Sequence, residues 1–301
     1  MLRLIMLAGL GLALAGCASG RKDQAPDPFD PQELWSQETL SRTALTNCDN
    51  RVWCAQAKIA GQPGLFAVDT GSEYTIITPE FADRLGLAKS LIEGRLSRPN
   101  LRGQENRFAR IPYLQLGGMF YFNFYVPILN LDQINGAMHG HQDGILGNNV
   151  LSKTGCSFDW RNKTLTLDED VTAPPAGAIS MNTRNRRFYF NPKVNGQAAE
   201  FALDTGAYGS SIAKSELNRL HIPKSKWRPT EIWRVDLIEA NREKEIEVTL
   251  DSFQLGGINR TRVPMMIWNN NLVGMDLLEP RVLSFDARAN WMILTVPPLG
   301  E

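Results

Sequence analysis

The chain has no excess of charge of either sign and few histidines and cysteines. Its 301 residues include 32 Lys and Arg against 32 Asp and Glu, with 3 His and 4 Cys. A chain that binds nucleic acid presents a basic face, so this balance argues against nucleic acid as a partner. No Cys-x-x-Cys pair is present, and such pairs are typical of zinc sites. The sequence therefore predicts neither a metal nor another cofactor.

The common nucleophile motifs are missing as well. A Ser-His-Asp triad is expected to come with a Gly-x-Ser-x-Gly elbow, which the sequence lacks. His139 and His141 precede Asp143 in HGHQD, a loop that could ligate a metal. Alternate residues of a glycine-containing loop seldom close a metal site without further ligands, so an exposed loop is the better interpretation.

An apolar run occupies the N-terminus. Residues 1–17, MLRLIMLAGLGLALAGC, have one basic residue before that run, which indicates an export signal peptide. The run is too short to span a bilayer comfortably, although a short membrane anchor and a secretory signal cleaved near Ala15 are alternatives. Residues 14–17, LAGC, resemble the lipobox of bacterial lipoproteins, in which the cysteine is lipidated and becomes the mature N-terminus.

The lipoprotein resemblance implies a location. A lipid on Cys17 would anchor the chain to a membrane without spanning it. Because Ala18 rather than Asp follows the cysteine, the resemblance implies the outer membrane of the bacterial cell envelope, with the protein facing the periplasm. Residues 18–37 are rich in Pro, Asp and other polar residues, so we expect 18–45 to be a disordered tether.

The remaining cysteines fit an exported protein. Cys48 and Cys54 are close in sequence and could form a disulfide in an oxidising compartment. Cys156 lies in the apolar segment GCSFDW, where a buried free thiol is expected.

The rest of the chain is an internal repeat. Asp69 in FAVDTG and Asp204 in FALDTG are 135 positions apart, and further segments recur in the same order. The matching pairs are ADRLGL (82–87) with LNRLHI (217–222), LQLGG (114–118) with FQLGG (253–257), GILGNNVL (144–151) with NLVGMDLL (271–278), and SFDWRNKTLTL (157–167) with SFDARANWMIL (284–294). A Pro/Gly/Ala segment at 171–178 separates the copies. We therefore expect an N-terminal lobe over 46–172 and a C-terminal lobe over 178–301.

Both copies predict a mainly β fold. Runs such as LFAVDT, FYFNFYVPIL, EFALDT and NWMILTV are rich in β-branched and aromatic residues, and Gly, Asn and Pro separate them. Helical signals are few: one around 78–85, with Thr78 as the cap and Pro79 in the first position, and one around 214–220.

The two Asp-Thr-Gly sequences carry the functional prediction. One copy alone is an ordinary tight turn, because Asp and Gly both favour that geometry. Each copy here follows an apolar strand, where a carboxylate is costly unless it has a partner or a use. Two pseudo-symmetric lobes could bring Asp69 and Asp204 to about 3 Å, where they cannot both ionise and share one proton. The ionised group can then act as a general base on water, and the protonated group can donate to a carbonyl oxygen.

These residues resemble the pepsin/retropepsin family of aspartic proteases. VDTGS and LDTGA are followed by the hydrophobic-hydrophobic-Gly elements ILG (145–147) and LVG (272–274), which in that family pass behind the catalytic loops. The resemblance covers roughly 55–298 and implies two pseudo-symmetric barrel lobes with a cleft between them. It implies a catalytic dyad of Asp69 and Asp204, framed by Thr70, Gly71, Ser72, Thr205, Gly206 and Ala207. It also implies a flap over the bound peptide, for which 98–111 and 234–248 are the candidates.

Ser72 distinguishes the first motif from the second, which has Ala207 at the same place. A serine hydroxyl could hydrogen-bond the neighbouring carboxylate and lower its pKa, whereas alanine could not. We therefore expect Asp69 to be the more often ionised member of the pair.

Together these features predict an aspartic endopeptidase anchored to the bacterial envelope. Its substrate would be a protein or peptide in extended conformation that pairs with strand edges. Because one chain supplies both carboxylates, a monomer is expected. The alternatives are a non-catalytic peptide-binding lipoprotein that kept the fold, and a structural envelope protein in which the two turns only brace the lobes.

Overall fold

The computed structural model describes residues 27–49, 52–87, 107–137, 141–235, 240–279 and 281–296. These residues form two lobes, each built on its own curved sheet, and a third sheet to which both lobes contribute strands. The prediction of a mainly β fold with two barrel-like lobes is confirmed.

The first lobe is mostly strand. Its elements are β1 (Glu33–Ser36), β2 (Leu40–Asp49), β3 (Val52–Ile59), β4 (Gln62–Val68), β5 (Ile76–Ile77), α1 (Pro79–Arg84), β6 (Arg107–Leu116), β7 (Met119–Ile128), α2 (Asp132–Ala137), β8 (Gly144–Leu146), α3 (Asn148–Leu151), β9 (Gly155–Asp159) and β10 (Thr164–Asp168).

The second lobe follows a similar order, with no helix in the place of α2 among its described residues. Its elements are β11 (Ile179–Ser180), β12 (Asn182–Arg184), β13 (Arg187–Phe190), β14 (Lys193–Val194), β15 (Gln197–Ala198), β16 (Phe201–Leu203), β17 (Ser211–Ala213), α4 (Lys214–Arg219), β18 (Trp227–Val235), β19 (Ala240–Leu255), β20 (Ile258–Trp268), β21 (Leu272–Val273), α5 (Met275–Leu278), β22 (Val282–Asp286) and β23 (Trp291–Thr295). A short 3-10 turn covers Lys224–Lys226.

The strands at the centre of each lobe have the same arrangement. In the first lobe β8 lies between a parallel neighbour, β4, and an antiparallel one, β5, and β5 is in turn parallel to β7. In the second lobe β21 lies in the same way between β16 and β17, and β17 is parallel to β20. The sequence repeat is therefore also a repeat of the strand arrangement.

A shared sheet joins the lobes. Its strand order is β2, β10, β9, β22, β23, β11, with β9 of the first lobe antiparallel to β22 of the second. Ser157 and Ser284, which match in the repeat, face each other there with their hydroxyl oxygens 2.8 Å apart. Phe158 and Phe285 stack with ring centroids 6.1 Å apart. Matching residues meet their own counterparts, so a local two-fold axis passes through this point.

Both predicted helices are confirmed. Thr78 caps α1 and accepts a hydrogen bond from the Phe81 N–H at 3.2 Å, with Pro79 in the first turn. The Thr78 hydroxyl satisfies one backbone N–H of the first turn, and Pro79 has no backbone N–H that would need a partner. The second helix, α4, begins after Ala213, which offers no side-chain cap.

The segment expected to be a tether includes folded residues. Of 18–45, residues 27–45 belong to the first lobe: Phe29 is buried, β1 pairs with β7, and β2 pairs with β10 and β3. The partners of these strands lie up to 128 residues away, as for Leu40 with Asp168, so the local polar composition gave no sign of them. The expectation of a tether up to 45, with a lobe beginning at 46, is therefore wrong from residue 27 onward. The signal peptide 1–17 with Cys17, and residues 18–26, lie outside the described residues.

Two further observations concern the cysteines and the helices. A disulfide joins Cys48 in β2 to Cys54 in β3, and Cys156 is free and buried. In the part of the chain that the structure describes, no helix has the length and apolar character needed to cross a bilayer.

A buried ion pair ties the end of the second lobe to the first. Asp286 is fully buried, and the Arg288 guanidinium donates to both of its carboxylate oxygens at 2.9 and 2.8 Å. The same guanidinium donates to the carbonyl oxygens of Lys153 and Glu169 in the first lobe, at 3.2 and 2.6 Å. Arg288 thereby satisfies a buried carboxylate and holds the two lobes together.

We predict that Arg288→Leu destabilises the protein strongly. The substitution leaves the Asp286 carboxylate buried without its cation, which costs about 3–5 kcal/mol of unfolding free energy. The matched control is Arg184→Leu, whose partner Glu200 is 42% exposed, and an exposed pair contributes under about 1 kcal/mol. Urea unfolding at neutral pH measures both variants. Equal, small losses in the two would contradict a structural role for the Arg288 pair.

Candidate active site

The two Asp-Thr-Gly turns occupy equivalent places in the two lobes. Asp69 directly follows β4, and its N–H donates to the Leu146 carbonyl at 3.0 Å. Asp204 directly follows β16, and its N–H donates to the Val273 carbonyl at 3.1 Å. Each aspartate is therefore held in place by the last residue of the short strand beside it.

The glycine of each hydrophobic-hydrophobic-Gly element lies against the back of an Asp-Thr-Gly loop. A Cβ on Gly147 would lie 2.3 Å from the Tyr74 carbonyl oxygen, and one on Gly274 would lie 2.7 Å from the Gly209 carbonyl oxygen. Neither position has room for a side chain. These two glycines let the strands behind the loops approach closely enough to shape them.

The two turns are bonded to each other by a reciprocal pair of hydrogen bonds. The Thr70 N–H donates to the Thr205 hydroxyl at 3.0 Å, and the Thr205 N–H donates to the Thr70 hydroxyl at 3.0 Å. The Thr205 hydroxyl in turn donates to the Val68 carbonyl at 2.8 Å. Both threonines are buried, so these bonds are shielded from water and fix the separation of the two loops.

The carboxyl groups of Asp69 and Asp204 meet in the same reciprocal way. Each accepts the N–H of the glycine in its own motif, Gly71 to Asp69 at 2.7 Å and Gly206 to Asp204 at 3.0 Å. A Cβ on Gly71 would lie 2.5 Å from the Asp204 carboxyl carbon, and one on Gly206 would lie 2.4 Å from that of Asp69. The two carboxyl groups also hydrogen-bond each other.

Burial and mutual repulsion change the acidity of this pair. Burial raises the pKa of Asp69, while hydrogen bonds from the Gly71 N–H and the Asp204 carboxyl act in the opposite direction. Burial and the adjacent negative charge of Asp69 raise the pKa of Asp204 to about 7. The positive charge of Arg187 lowers the pKa of both. Because the negative charge of Asp69 acts on Asp204, Asp69 is the first of the two to ionise and Asp204 keeps the proton to higher pH.

Ser72 does not act as the sequence suggested. Its hydroxyl donates to the Tyr74 carbonyl at 2.8 Å, rather than to the Asp69 carboxylate. Its backbone N–H does help to lower the pKa of Asp69, but the Ala207 N–H does the same for Asp204. The serine hydroxyl is therefore not what makes Asp69 the more readily ionised partner. Asp69 ionises more readily because its negative charge raises the pKa of Asp204.

The flap candidates are only partly described. Of 98–111, residues 98–106 lie outside the described residues and the remainder begins β6. The segment 234–248 belongs to the long hairpin of β18 and β19, which pair up to Val235 and Ala240, and 236–239 lie outside the described residues.

In the loop that contains His139 and His141, Asp143 has a structural role. Asp143 is buried and accepts hydrogen bonds from the Leu65 N–H at 2.9 Å and from the Arg84 guanidinium at 2.7 Å. His141 lies 3.3 Å from the same carboxylate, and His139 lies outside the described residues. Within the described ranges, no three His, Cys, Asp or Glu side chains are grouped as a metal site requires.

An arginine pair beside the turns was missed at the sequence level. Arg186 donates to Asp27 at 2.7 Å, to Asp30 at 3.0 Å and to the Tyr74 hydroxyl at 3.2 Å, so it ties the N-terminal segment and the first turn to the second lobe. Its neighbour Arg187 lies 3.6 Å from Glu73. One signal could have found Arg186: Asn185-Arg186 repeats Asn50-Arg51 at the same spacing of 135 as the two aspartates, whereas Arg187 matches Val52.

Comparison with known families matches both halves. Residues 55–150 match the aspartyl protease family, and residues 190–280 match the gag-polyprotein aspartyl protease family. Each match contains one of the two Asp-Thr-Gly turns and the glycine element behind it.

Comparison with individual proteins adds little to this. No curated protein sequence matches the chain. A crystal structure of a retropepsin-like aspartic protease from Rickettsia conorii is 25% identical, over 40% of this chain and 88% of that one, with a TM-score of 0.31. A TM-score that low does not support a detailed comparison of the folds, so the two family matches carry the assignment.

We predict that Asp204→Asn stabilises the protein at neutral pH and not in acid. The folded pKa of Asp204 is about 7, above an unfolded value of about 3.9. The folded state therefore binds the extra proton, and stability falls as pH rises from about 4 to about 7. Asparagine can accept the same Gly206 N–H without that loss. Thermal unfolding should show a Tm gain near zero at pH 4 that grows to several degrees at pH 7 (about 2–4 °C per kcal/mol).

The control for this series is Asp251→Asn, at an aspartate that is 67% exposed. Its Tm difference from the unaltered protein should not follow the same pH dependence. A Tm difference for Asp204→Asn that is constant from pH 4 to pH 7 would contradict the assignment of the shared proton.

Proposed function

We propose that this chain, which belongs to the retropepsin-like aspartic protease family in a duplicated form, hydrolyses peptide bonds through Asp69 and Asp204. The observation that supports this most is the reciprocal contact at the centre of the molecule. Each carboxyl group lies against the glycine of the other motif, where a water molecule could contact both.

The unequal protonation of the pair gives each group a role. The ionised Asp69 takes a proton from the water, whose oxygen attacks the carbonyl carbon of the scissile bond. The protonated Asp204 gives its proton to the carbonyl oxygen, which forms a tetrahedral diol. Asp69 then passes its proton to the amide nitrogen, the C–N bond breaks, and Asp204 recovers a proton from the diol. A new carboxyl group and a new amine leave.

The two turns and the strand edges beside them offer a place for the substrate. An extended peptide could lie across the two turns and pair with strand edges on either side. Either of the two flap candidates, 98–111 or 234–248, could cover the bound peptide, since loops on a rigid scaffold often carry function. Both carboxyl groups come from one chain, so the proposed enzyme acts as a monomer.

We also propose that the enzyme is a lipoprotein of the bacterial envelope, attached through Cys17 to the outer membrane and facing the periplasm. The apolar residues 1–17 ending in LAGC support the lipid anchor. The Cys48–Cys54 disulfide supports an oxidising compartment outside the cytoplasm.

The direct test uses the chain from Ala18 onward, which keeps every described residue, with a denatured protein as substrate in mildly acidic buffer. We expect cleavage that a pepstatin-like inhibitor blocks. Asp69→Asn and Asp204→Asn should each lower kcat by about 10²–10⁴-fold, the usual contribution of a general acid or base, while Asp251→Asn retains activity. Peptide binding without cleavage in the unaltered chain would indicate a binding protein instead, and neither binding nor cleavage would indicate a structural brace.

The pH dependence of kcat/KM is a second expectation. Activity should fall in acid as Asp69 becomes protonated, and fall again near pH 7 as Asp204 loses its proton. Because the charge of Arg187 lowers the pKa of both groups, Arg187→Gln should move both limbs of the profile to higher pH. Arg187→Lys keeps the charge and should leave the limbs near their original positions. A profile that Arg187→Gln does not move would contradict the electrostatic role of this residue.

A further inference from the structure

Four aromatic side chains form a continuous group on the first lobe, which we call the aromatic patch: Trp35, Tyr113, Phe120 and Phe122. Trp35 is 53% exposed. Its ring centroid lies 5.2 Å from that of Phe120, which lies 6.0 Å from Tyr113 and 6.3 Å from Phe122. Large apolar side chains grouped on a surface in this way mark a contact with something else more often than single ones do.

Strand register places the patch on the outer side of the sheet. Trp35 of β1 pairs with Phe120 of β7, and Tyr113 of β6 pairs with Phe122. The residues between them in sequence, such as Leu114 and Tyr121, are fully buried in the core. Because successive side chains of a strand point to opposite faces, the patch points away from the core.

The second lobe shows that the fold does not need these aromatic residues. The repeat LQLGG/FQLGG matches Tyr113 to Ser252, Phe120 to Asn259 and Phe122 to Thr261. The structure pairs Ser252 with Thr261 as it pairs Tyr113 with Phe122, so the match holds in three dimensions. The same surface of the same fold is thus polar in one lobe and aromatic in the other.

We propose that the aromatic patch docks on the surface of a lipid bilayer, an inference that rests on the proposed lipid anchor at Cys17. Tryptophan and tyrosine favour the boundary between lipid headgroups and acyl chains, because they combine an apolar ring with a polar atom. Phenylalanine adds apolar area to an interfacial contact of this kind.

The length of chain between Cys17 and the first described residue keeps the patch within reach of the bilayer. Cys17 and Asp27, the first described residue, are ten residues apart, a span of at most about 35 Å even when fully extended. A folded body of about 270 residues has a radius of gyration of about 18 Å, so the tether is shorter than the body is wide. Pro28 accepts a hydrogen bond from the Tyr125 N–H on β7, five residues or about 17 Å from Phe120 along that strand. The patch is therefore well within that span, and two attachments on one body act cooperatively.

The charges near the patch suit a membrane that contains anionic lipid. Lys58 is exposed on β3 and pairs with Gln115, which pairs with Phe120, so it lies in the same cross-strand row as the patch. Glu33 lies opposite Phe122, and residues 18–26 of the sequence contribute Arg21 and Lys22 against Asp23. Basic residues near a bilayer are attracted to anionic headgroups.

Docking through the patch leaves the candidate active site away from the lipid. The Tyr113 hydroxyl lies 3.5 Å from the place a Cβ on Gly61 would occupy, next to the start of β4. Asp69 follows the other end of that strand, whose seven residues span about 23 Å. A docked enzyme would therefore keep its substrate site open to the periplasm.

The test measures how much of the unlipidated chain from Ala18 onward floats with vesicles. One set of vesicles is phosphatidylethanolamine with a minority of phosphatidylglycerol, and the other is phosphatidylcholine alone. We expect partition into the first, weakened by salt. Trp35→Ser, and the triple variant Tyr113→Ser, Phe120→Asn, Phe122→Thr, should each lower partition at least about tenfold. The triple variant installs the residues that the second lobe already carries, and Trp35→Ser remains informative if the triple variant fails to fold.

Two controls separate docking from general stickiness and from catalysis. Val171→Ser removes an apolar side chain that is 62% exposed outside the patch, and it should leave partition unchanged. Asp69→Asn should bind vesicles like the unaltered chain while losing peptidase activity, so failure of the proposed chemistry and failure of docking give different results.

Three outcomes would overturn the proposal. They are no partition of the unaltered chain, partition that the patch substitutions do not change, and a lipid-independent dimer that those substitutions abolish. The last would identify a second copy of this chain, rather than the bilayer, as the occupant of the patch.

Discussion

The rest of the structure depends on one constraint, the repulsion between the adjacent carboxyl groups of Asp69 and Asp204. Asp69 and Asp204 can lie together only if they share a proton and if the backbone holds them there against the cost. The reciprocal bonds of Thr70 and Thr205 supply that restraint, and they require two loops of the same shape facing each other. Duplicated lobes, a shared sheet on the two-fold axis and a glycine behind each loop all serve that one geometry.

Much of this could be predicted from the sequence, because the matching segments of an internal repeat show which residues of the two lobes are equivalent. Matching Asp69 with Asp204 at a fixed spacing predicted the pairing of the halves and the mainly β fold, and Thr78 with Pro79 predicted α1. The N-terminal segment was misread because Phe29 and β1 gain their stability from partners far along the chain. The role given to the Ser72 hydroxyl was wrong for a related reason: a hydroxyl has several acceptors within reach, and only the folded loop decides among them.

The differences between the two lobes say more about this particular protein than their likeness does. The shared geometry recurs in both lobes, whereas Arg187 and the aromatic patch each occur in one lobe only. Arg187 places a positive charge where it acts on both carboxyl groups. The patch gives the first lobe an apolar surface that the second lobe lacks. Both are additions to a symmetric frame.

The most direct test of the central claim is a carbon-13 NMR titration of the aspartate carboxyl groups in the chain from Ala18 onward, with Asp69→Asn and Asp204→Asn used to assign the two signals. We predict that the Asp69 carboxyl ionises first and that the Asp204 carboxyl stays protonated until it titrates near pH 7. Two independent titrations near pH 4, the ordinary value for aspartate, would contradict the account, because the two groups would then not share a proton.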